Sequence, residues 1–406
     1  MSRFDDDYSA DSLMREISRS LGAQVTSEME LEKKEKSGNR EIFQELKEEP
    51  ELPFEKRKKE KKSSKKKVIA IVSGILVAVC LLVVVTGNYF LDRLNYEKEE
   101  ELVTESGDPL QLEEKDDIEP ADNKVINVLL IGEEKINDGT RGRSDSMMIA
   151  TINQKQKSLK LTSIMRDCYV TIPGYRSNKL NAAYNNGGGQ LLLATIEQNF
   201  QIHLDGYVRV DFEAFETIID KLGGVEIELS ASEARYLNTT NYISNPANRR
   251  MVEGVNVMNG NQALGYSRVR YVKEVDGESD DFGRTARQRR VLSCVFEKYK
   301  NKSVVEMVSI ANQILPYITT NLTKSDILSY IAAFVATGST ELETFRIPMN
   351  DAYYGARRDG AGSVLVINFD INNAALQEFI YGHDENAESV EQETTEGTEQ
   401  NTTQGY

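Results

Sequence analysis

Residues 68–87, VIAIVSGILVAVCLLVVVTG, carry no charged side chain over twenty positions. Twenty apolar residues are what one helix needs to cross the hydrocarbon of a bilayer. A core helix of a soluble domain is the alternative, but this stretch is apolar on all sides and a lysine block adjoins it. A cleavable signal peptide would need a short charged leader and a small-residue cleavage site, whereas sixty-seven residues come first. The stretch therefore predicts a single transmembrane helix. Its flanks predict the orientation. Residues 56–67, KRKKEKKSSKKK, hold nine basic side chains and one Glu, and EKEEE follows at 97–101. The excess of Lys and Arg marks the cytoplasmic side, so 1–67 is expected inside and 88–406 outside. The lysine block would also suit anionic lipid.

Composition divides the rest. Residues 1–67 are highly charged and poor in aromatics, as disordered segments are, although DDYSADSLMREISRSLG could form a short amphipathic helix for a cytoplasmic partner. Residues 88–122 are amphipathic at first, then acidic and irregular, and are expected to form an extracellular stalk. Residues 384–406 are Glu-, Thr- and Gln-rich and are expected to be a disordered acidic tail. That leaves 123–383, long enough to bury a substantial core as one domain. The formal net charge of −16 argues against nucleic acid as a partner, because nucleic-acid binding favours a basic face. Of three cysteines, Cys80 lies in the apolar span. Cys168 and Cys294 lie outside it and could pair or remain thiols. With only His203 and His383, a His-based zinc site or a Ser-His-Asp triad has little material.

Within the body, VINVLLIG (125–132) reads as a buried strand ending at a glycine. SMMIATINQ (146–154) and SLKLTSIM (158–165) read as a hairpin. YVTIPG (169–174), GYVRVDF (206–212), VEIEL (225–229) and VLVINFD (364–370) read as further strands. Helical spacing runs over 191–200, over 213–224 up to Gly223–Gly224, and over 284–301. Two more helices follow, VVEMVSIANQILPYI and SDILSYIAAFVAT. Strands and helices alternate irregularly, which predicts an α/β fold with a mixed central sheet flanked by helices.

The chemistry resides in arginines set among a few carboxylates: Arg143, Arg166, Arg268, Arg270, Arg284, Arg287, Arg289 and Arg290. If SRVR is a strand, Arg268 and Arg270 share a face. On a helix, Arg284 shares one with Arg287 and Gln288. Arg284, Arg287 and Arg290 would need many carboxylate partners to be buried as structural ions, while Arg289 and Arg290 suit surface charges or Arg–Asp pairs. A guanidinium fork binds two phosphate oxygens at once, so converging arginines suggest an anion with more than one phosphate. Asp145, Asp167 and Glu134 would then be candidate ligands for Mg²⁺ or Mn²⁺, because Mg²⁺ is held by one or two carboxylates plus substrate phosphates. Each Asp would equally serve as a loop cap or as an ion-pair partner of its neighbouring Arg.

The ordered motifs NVLLIG, GRSDSMM, SIMRDCYVTIPGY, KLNAAYNNGG, DFEAFETIIDKLGGVEIEL, MNGNQALGYSRVRY and DFGRTARQRRVL, from about 125 to 300, resemble the LytR-CpsA-Psr family of cell-envelope proteins. The resemblance implies a phosphotransferase that moves a glycopolymer, such as wall teichoic acid or capsular polysaccharide, from a polyprenyl-pyrophosphate carrier onto a peptidoglycan sugar hydroxyl. A phosphodiester link results. The family resemblance also implies a sandwich around a mixed sheet with a long apolar pocket for the lipid, and a catalytic domain facing the cell wall. Carried over by motif, Asp145 and Asp167 match metal-site carboxylates. Arg143, Arg166, Arg268 and Arg270 match pyrophosphate-binding arginines, and Asp281, Arg284 and Gln288 match a D-x-x-R-x-x-x-Q pattern beside the phosphates. Arg166, Asp281 and Arg284 are the expected catalytic residues, with Asp281 the candidate base. Two departures stand out. Glu134 occupies a position where the family usually has Asp, and SIMRDC brings Met165 and Cys168 beside the site. The helices at 191–200 and 213–224 are either lipid-pocket walls or plain core. Two rival readings remain on sequence grounds: a polyprenyl-pyrophosphate phosphatase using water, and a non-enzymatic binding or regulatory envelope protein.

Overall fold

Thirteen strands and eight α-helices alternate along the described chain. The strands are β1 (Asn95–Tyr96), β2 (Val125–Glu134), β3 (Arg143–Asn153), β4 (Ser158–Ile164), β5 (Tyr169–Val170), β6 (Asn178–Lys179), β7 (Gly206–Asp211), β8 (Val225–Leu229), β9 (Gly254–Met258), β10 (Thr319–Thr320), β11 (Leu342–Ile347), β12 (Tyr353–Arg358) and β13 (Gly362–Ile367). The helices are α1 (Leu180–Phe200), α2 (Phe212–Lys221), α3 (Ala231–Thr239), α4 (Gly260–Arg268), α5 (Asp280–Tyr299), α6 (Val304–Ile314), α7 (Lys324–Thr337) and α8 (Phe369–Tyr381). The computed structural model describes residues 91–97, 101–112, 124–134, 141–274, 277–300, 302 and 304–382. The expected membrane span, the cytoplasmic segment and the acidic tail lie outside them. No described helix is long and apolar enough to cross a membrane.

Seven strands form the central sheet in the order β1-β10-β7-β2-β3-β4-β11. β2 runs parallel to β7 and antiparallel to β3. β4 is antiparallel to β3 and parallel to β11. The sheet is mixed, as the sequence predicts, and the carboxyl ends of β2, β4 and β7 lie along one edge. The first hairpin forms as expected. The expected strand over 169–174 shrinks to β5, because Pro173 and Gly174 turn the chain. The strand considered for SRVR, 267–270, does not form. Asn259 caps α4 in a reciprocal box with Gln262, so Arg268 ends a helix and Arg270 follows in an extended connection.

Successive side chains of a strand face opposite ways, and here both faces are covered. Leu129, Ile131, Met147 and Ile149 pack into one core with Leu180, Leu191, Ile196 and Phe200 of α1 and Leu376 and Ile380 of α8. The other face looks toward α2, α4 and α5. A second core beside it gathers Ile219, Leu222, Val225, Ile227, Leu237, Met258, Tyr266 and Val291. Helix α1 starts eleven residues before the expected one and is interrupted at Gly187 and Gly188, the latter at φ +64°.

Part of the expected stalk is packed on the body. β1 pairs with β10, the Tyr175 hydroxyl donates to the Val103 carbonyl at 2.6 Å, and Leu110 and Leu112 lie against the first core. Cys168 is buried in the first core and Cys294 borders the second. Both are free thiols, so the optional disulfide is not made.

Candidate functional site

A β-bulge begins the site. Gly132 pairs with Ser146 and the next residue, Glu133, pairs with Ser144. Asp145 is the extra residue, and a bulge of this kind re-aims side chains. Asp145 and Ser146 consequently both line the cavity described below, while Ser144 is buried. At the carboxyl end of β4 the chain runs Met165, Arg166, Asp167. Met165 and Cys168 are buried in the core, so the departures from the family motif change packing, and the charged pair between them is left at the sheet edge. Burial pushes the Cys168 thiol far up, with Asp167 adding to it, so it stays a protonated apolar group.

Arg166 is the hub. It is ion-paired with Asp145, stands 3.9 Å from Asp167 and 3.7 Å from Asp281. Burial is the largest single influence on this guanidinium and acts downward, yet the three carboxylates together outweigh it and raise its pKa. Asp281, in the first turn of α5, also meets Arg284 at 2.8 Å and Arg270 at 3.6 Å. Arg284 is 3% exposed; burial brings it down to about 10, opposed by Asp281 and reinforced by Arg166 and Arg270. The Nε donors of Arg166 and Arg284 are buried without a hydrogen-bond partner among the described residues. Buried donors are normally satisfied, so this cluster has unused capacity for an acceptor.

Arg268 reaches the cluster through helix packing. Gly260 opens α4 hard against α2; a Cβ there would stand 2.0 Å from the Glu216 carbonyl oxygen. The Gly260 N–H donates to Asp220 at 2.7 Å. The other end of α4 then brings Arg268 over the Phe212 ring, 4.9 Å from its centre, and 3.4 Å from Glu134.

The arginines close one end of a cavity of about 430 Å³ between the sheet and α2, α4 and α5. Its remaining wall is mostly apolar: Leu130, Met148, Val208, Val210, Phe215, Ile218, Leu222, Leu292 and Val295. Side chains of the 213–224 segment line it, whereas the 191–200 segment is plain core on the opposite face.

Of the expected site residues, Glu134, Asp145, Arg166, Arg268, Arg270, Arg284 and Gln288 line this cavity. Asp167 and Asp281 border it through their ion pairs with Arg166. The Gln288 amide reaches the Asp145 carbonyl at 3.5 Å. Arg143 is exposed opposite Glu134 in register and is not among the lining residues. Arg287 belongs elsewhere. It is fully buried, and its fork donates to Glu233 at 3.0 and 2.9 Å and to the carbonyls of Val269 and Val272. Arg290 pairs with buried Glu274 at 2.7 Å. Arg287 and Arg290 each thus have a carboxylate partner, Glu233 and Glu274, as burial of these arginines was expected to require, whereas Arg284 shares Asp281 with Arg166 and Arg270. Lys179, 2.6 Å from Asp167, had no sequence signal.

Among the described residues no three His, Cys, Asp or Glu side chains converge as a complete metal cage. Asp145 and Asp167 flank Arg166 and are paired with Arg166 and Lys179; they are the residues that could hold a hard cation together with phosphate oxygens supplied by a substrate.

Fold and site define an α/β sandwich protein with an apolar cavity lined at one end, at the carboxyl edge of the sheet, by arginines paired with carboxylates. The sequence profile of the LytR_cpsA_psr family matches residues 92–378, and the chain belongs to that family. It is 31% identical over 258 residues to the regulatory protein MsrR of Staphylococcus aureus (strain COL), covering 63% of this chain and 74% of that one. It is 28% identical over 288 residues to the polyisoprenyl-teichoic acid–peptidoglycan teichoic acid transferase TagV of Bacillus subtilis, covering 69% and 71%. The crystal structure of protein gbs0355 from Streptococcus agalactiae superposes with a TM-score of 0.53 at 25% identity, covering 63% of this chain and 86% of that one. TagT bound to LIIa-WTA shares the fold, with a TM-score of 0.52 at 24% identity and coverage of 69% and 99%.

Proposed function

We propose that this chain is a membrane-anchored phosphotransferase that moves a glycopolymer from a polyprenyl-pyrophosphate carrier onto a peptidoglycan sugar hydroxyl. The observation that carries this reading is the joining of an apolar cavity to a cluster of four arginines, Arg166, Arg268, Arg270 and Arg284. A lipid diphosphate has that same division: an apolar tail, then two phosphates. The transferase name of TagV supports the choice of glycan and acceptor. Residues 68–87 would hold the body at the outer membrane face, where such a carrier lies.

Charge balance supports a divalent cation. Arg166, Arg268, Arg270, Arg284 and Lys179 stand against Asp145, Asp167, Asp281 and Glu134, leaving one positive charge. A diphosphate diester brings two negative ones. Mg²⁺ or Mn²⁺ held by Asp145 and Asp167 would offset the excess and neutralise phosphate charge. Glu134, 3.4 Å from Arg268, is the third carboxylate that could contribute to holding it.

In the reaction the acceptor hydroxyl oxygen bonds to the glycan-side phosphorus, and the bond from that phosphorus to the bridging oxygen breaks. Polyprenyl phosphate leaves, and the hydroxyl proton passes to a base or to solvent. The protein's part is positioning and charge stabilisation. Arg166 and Arg284 offer their unused donors to phosphate oxygens, and Arg268 and Arg270 cover the outer side. Asp281, gripped by Arg166, Arg270 and Arg284, orients those guanidinium groups, and to accept a proton it would first have to leave them.

The test supplies the purified chain with polyprenyl-pyrophosphate-linked oligosaccharide, Mg²⁺ and peptidoglycan fragments, and follows products by mass. A phosphodiester conjugate that disappears in Arg166→Ala and Arg284→Ala is the expected outcome. Release of free polymer without conjugate would make the protein a hydrolase. Binding without turnover would make it a carrier-binding protein.

A further inference from the structure

Tyrosines line the arginine-bearing cavity as well. Tyr271 follows Arg270 directly in the chain and lines the cavity, yet it is 72% exposed. A tyrosine side chain carries an apolar body and a polar tip, and it normally hides most of that body. Tyr242 lines the same cavity. Tyr236, on α3, backs Tyr242, with ring centres 5.7 Å apart and planes tilted by 39°. The buried fork of Arg287 holds the carbonyls of Val269 and Val272, on either side of Tyr271. The exposed ring is therefore carried on a pinned segment.

We propose that Tyr271 and Tyr242, with Tyr236 behind, form a stacking platform for a pyranose ring next to the phosphate-binding arginines. The inference rests on the donor reading above, because that reading fixes direction. With the lipid tail in the apolar part and the diphosphate at Arg166, Arg270 and Arg284, whatever is joined to the outer phosphate must leave past Arg270. A pyranose ring has an apolar C–H face bordered by hydroxyls, and a tyrosine ring has a flat apolar face ending in one. Such a pair buries apolar surface while each hydroxyl stays in water or finds a partner. A protein partner fits less well. A stable protein interface removes roughly 800 Å² from each side, and the other strongly exposed apolar residues belong to different elements: Val252, Val255 and Val257 to the β9 region, Ile331 and Val335 to α7, and Tyr354 to β12. Both donor glycan and peptidoglycan acceptor present pyranose rings, so the chemistry is shared and the experiment must separate the two sources.

The full chain in detergent would be titrated with three probes: a bare polyprenyl pyrophosphate, the same carrier bearing a disaccharide, and a muropeptide disaccharide. The last would be added to unloaded protein and to protein loaded with the bare carrier. Variants are Tyr271→Ala, Tyr242→Ala and the ring-preserving Tyr271→Phe, with thermal melts checking that each folds as wild type. Tyr271→Ala is expected to weaken the glycosylated carrier about five- to tenfold, the scale of one aromatic stacking contact, with the bare carrier unchanged and Tyr271→Phe near wild type. The same loss confined to the muropeptide would place the acceptor's ring on the platform. Equal binding of both sugar probes by wild type and both alanine variants would overturn the platform, as would equal weakening of the bare carrier. Failure of wild type to bind the bare carrier would instead sink the donor reading. The muropeptide titrated against unloaded protein would then decide on the platform alone.

Discussion

Arg287 is expected to be the most costly arginine in the chain to remove, although it touches no part of the cavity. It is fully buried, and so is Glu233. The guanidinium donates through Nε and Nη2 to one oxygen of Glu233, and through Nη1 and Nη2 to Val269 and Val272. The other Glu233 oxygen closes the capping box of α3, accepting from the Ser230 N–H at 3.1 Å. Arg287→Met leaves a buried carboxylate without its cation and two carbonyls without donors. Breaking one side of a buried ion pair costs about 3–5 kcal/mol. At roughly 2 °C per kcal/mol for a body of this size, the melting temperature should fall by about 6–10 °C. The chain has no tryptophan, so the transition would be followed by far-UV circular dichroism. Arg287→Met/Glu233→Gln should regain more than half of the loss, because the unpaired charge is gone. It should not regain anion affinity, since the segment carrying Arg268 and Arg270 still lacks its anchor. A single variant within about 1 kcal/mol of wild type would refute the energetic argument. A double variant with full affinity would refute the anchoring argument.

Three other outcomes follow from particular contacts. Asp145→Asn should raise the Mg²⁺ concentration for half-maximal transfer at least about tenfold, the scale seen when a metal site loses a supporting group, and chelator should abolish transfer; an unchanged metal titration would remove Asp145 from the metal site. His203 donates toward Glu197 at 3.4 Å and stands 4.0 Å from Asp205. The Glu197 contact is the largest cause raising its pKa above the ordinary 6.5, burial opposes it, and Asp205 adds to it. The stabilisation is thus complete below about 6.5 and fades as pH rises through the raised value. Screening keeps it under about 1 kcal/mol, and His203→Gln should flatten that slope in urea melts taken between pH 6 and 8. A Cβ on Gly189 would stand 2.5 Å from the Tyr207 ring, whose hydroxyl is held by Glu97 at 2.9 Å. Gly189→Ala should therefore cost about 1–3 kcal/mol, read as a lowered urea midpoint; wild-type stability would mean that the ring yields.

Much of the site was legible because it is carried by residue type and short spacing. Asp281, Arg284 and Gln288 lie on one helix at intervals of three and four, and the structure keeps Arg284 and Gln288 in the cavity lining with Asp281 paired to Arg284 beside it. Arg268 and Arg270 reach it by a different backbone than their alternation suggests. The signal for the helix was present in N-G-N-Q, an Asn at the cap with Gln three residues later. The bulge that turns Asp145 inward leaves no such mark, because one extra residue in a ladder is defined only by the strand opposite. The pairing of β1 with β10 joins residues 95 and 319 through two-residue strands too short for any period. What sequence distance hides most is the division of labour among like residues. Arg284, Arg287 and Arg290 are equivalent as letters, three apart on one helix. Arg287 becomes structural because Glu233, fifty-four positions earlier, folds against it in a dry contact. Arg284 shares its carboxylate with Arg166 and Arg270 and keeps an unmatched donor. Where a guanidinium has a carboxylate of its own, its charge is spent on the fold; where several share one, the surplus is left for a ligand.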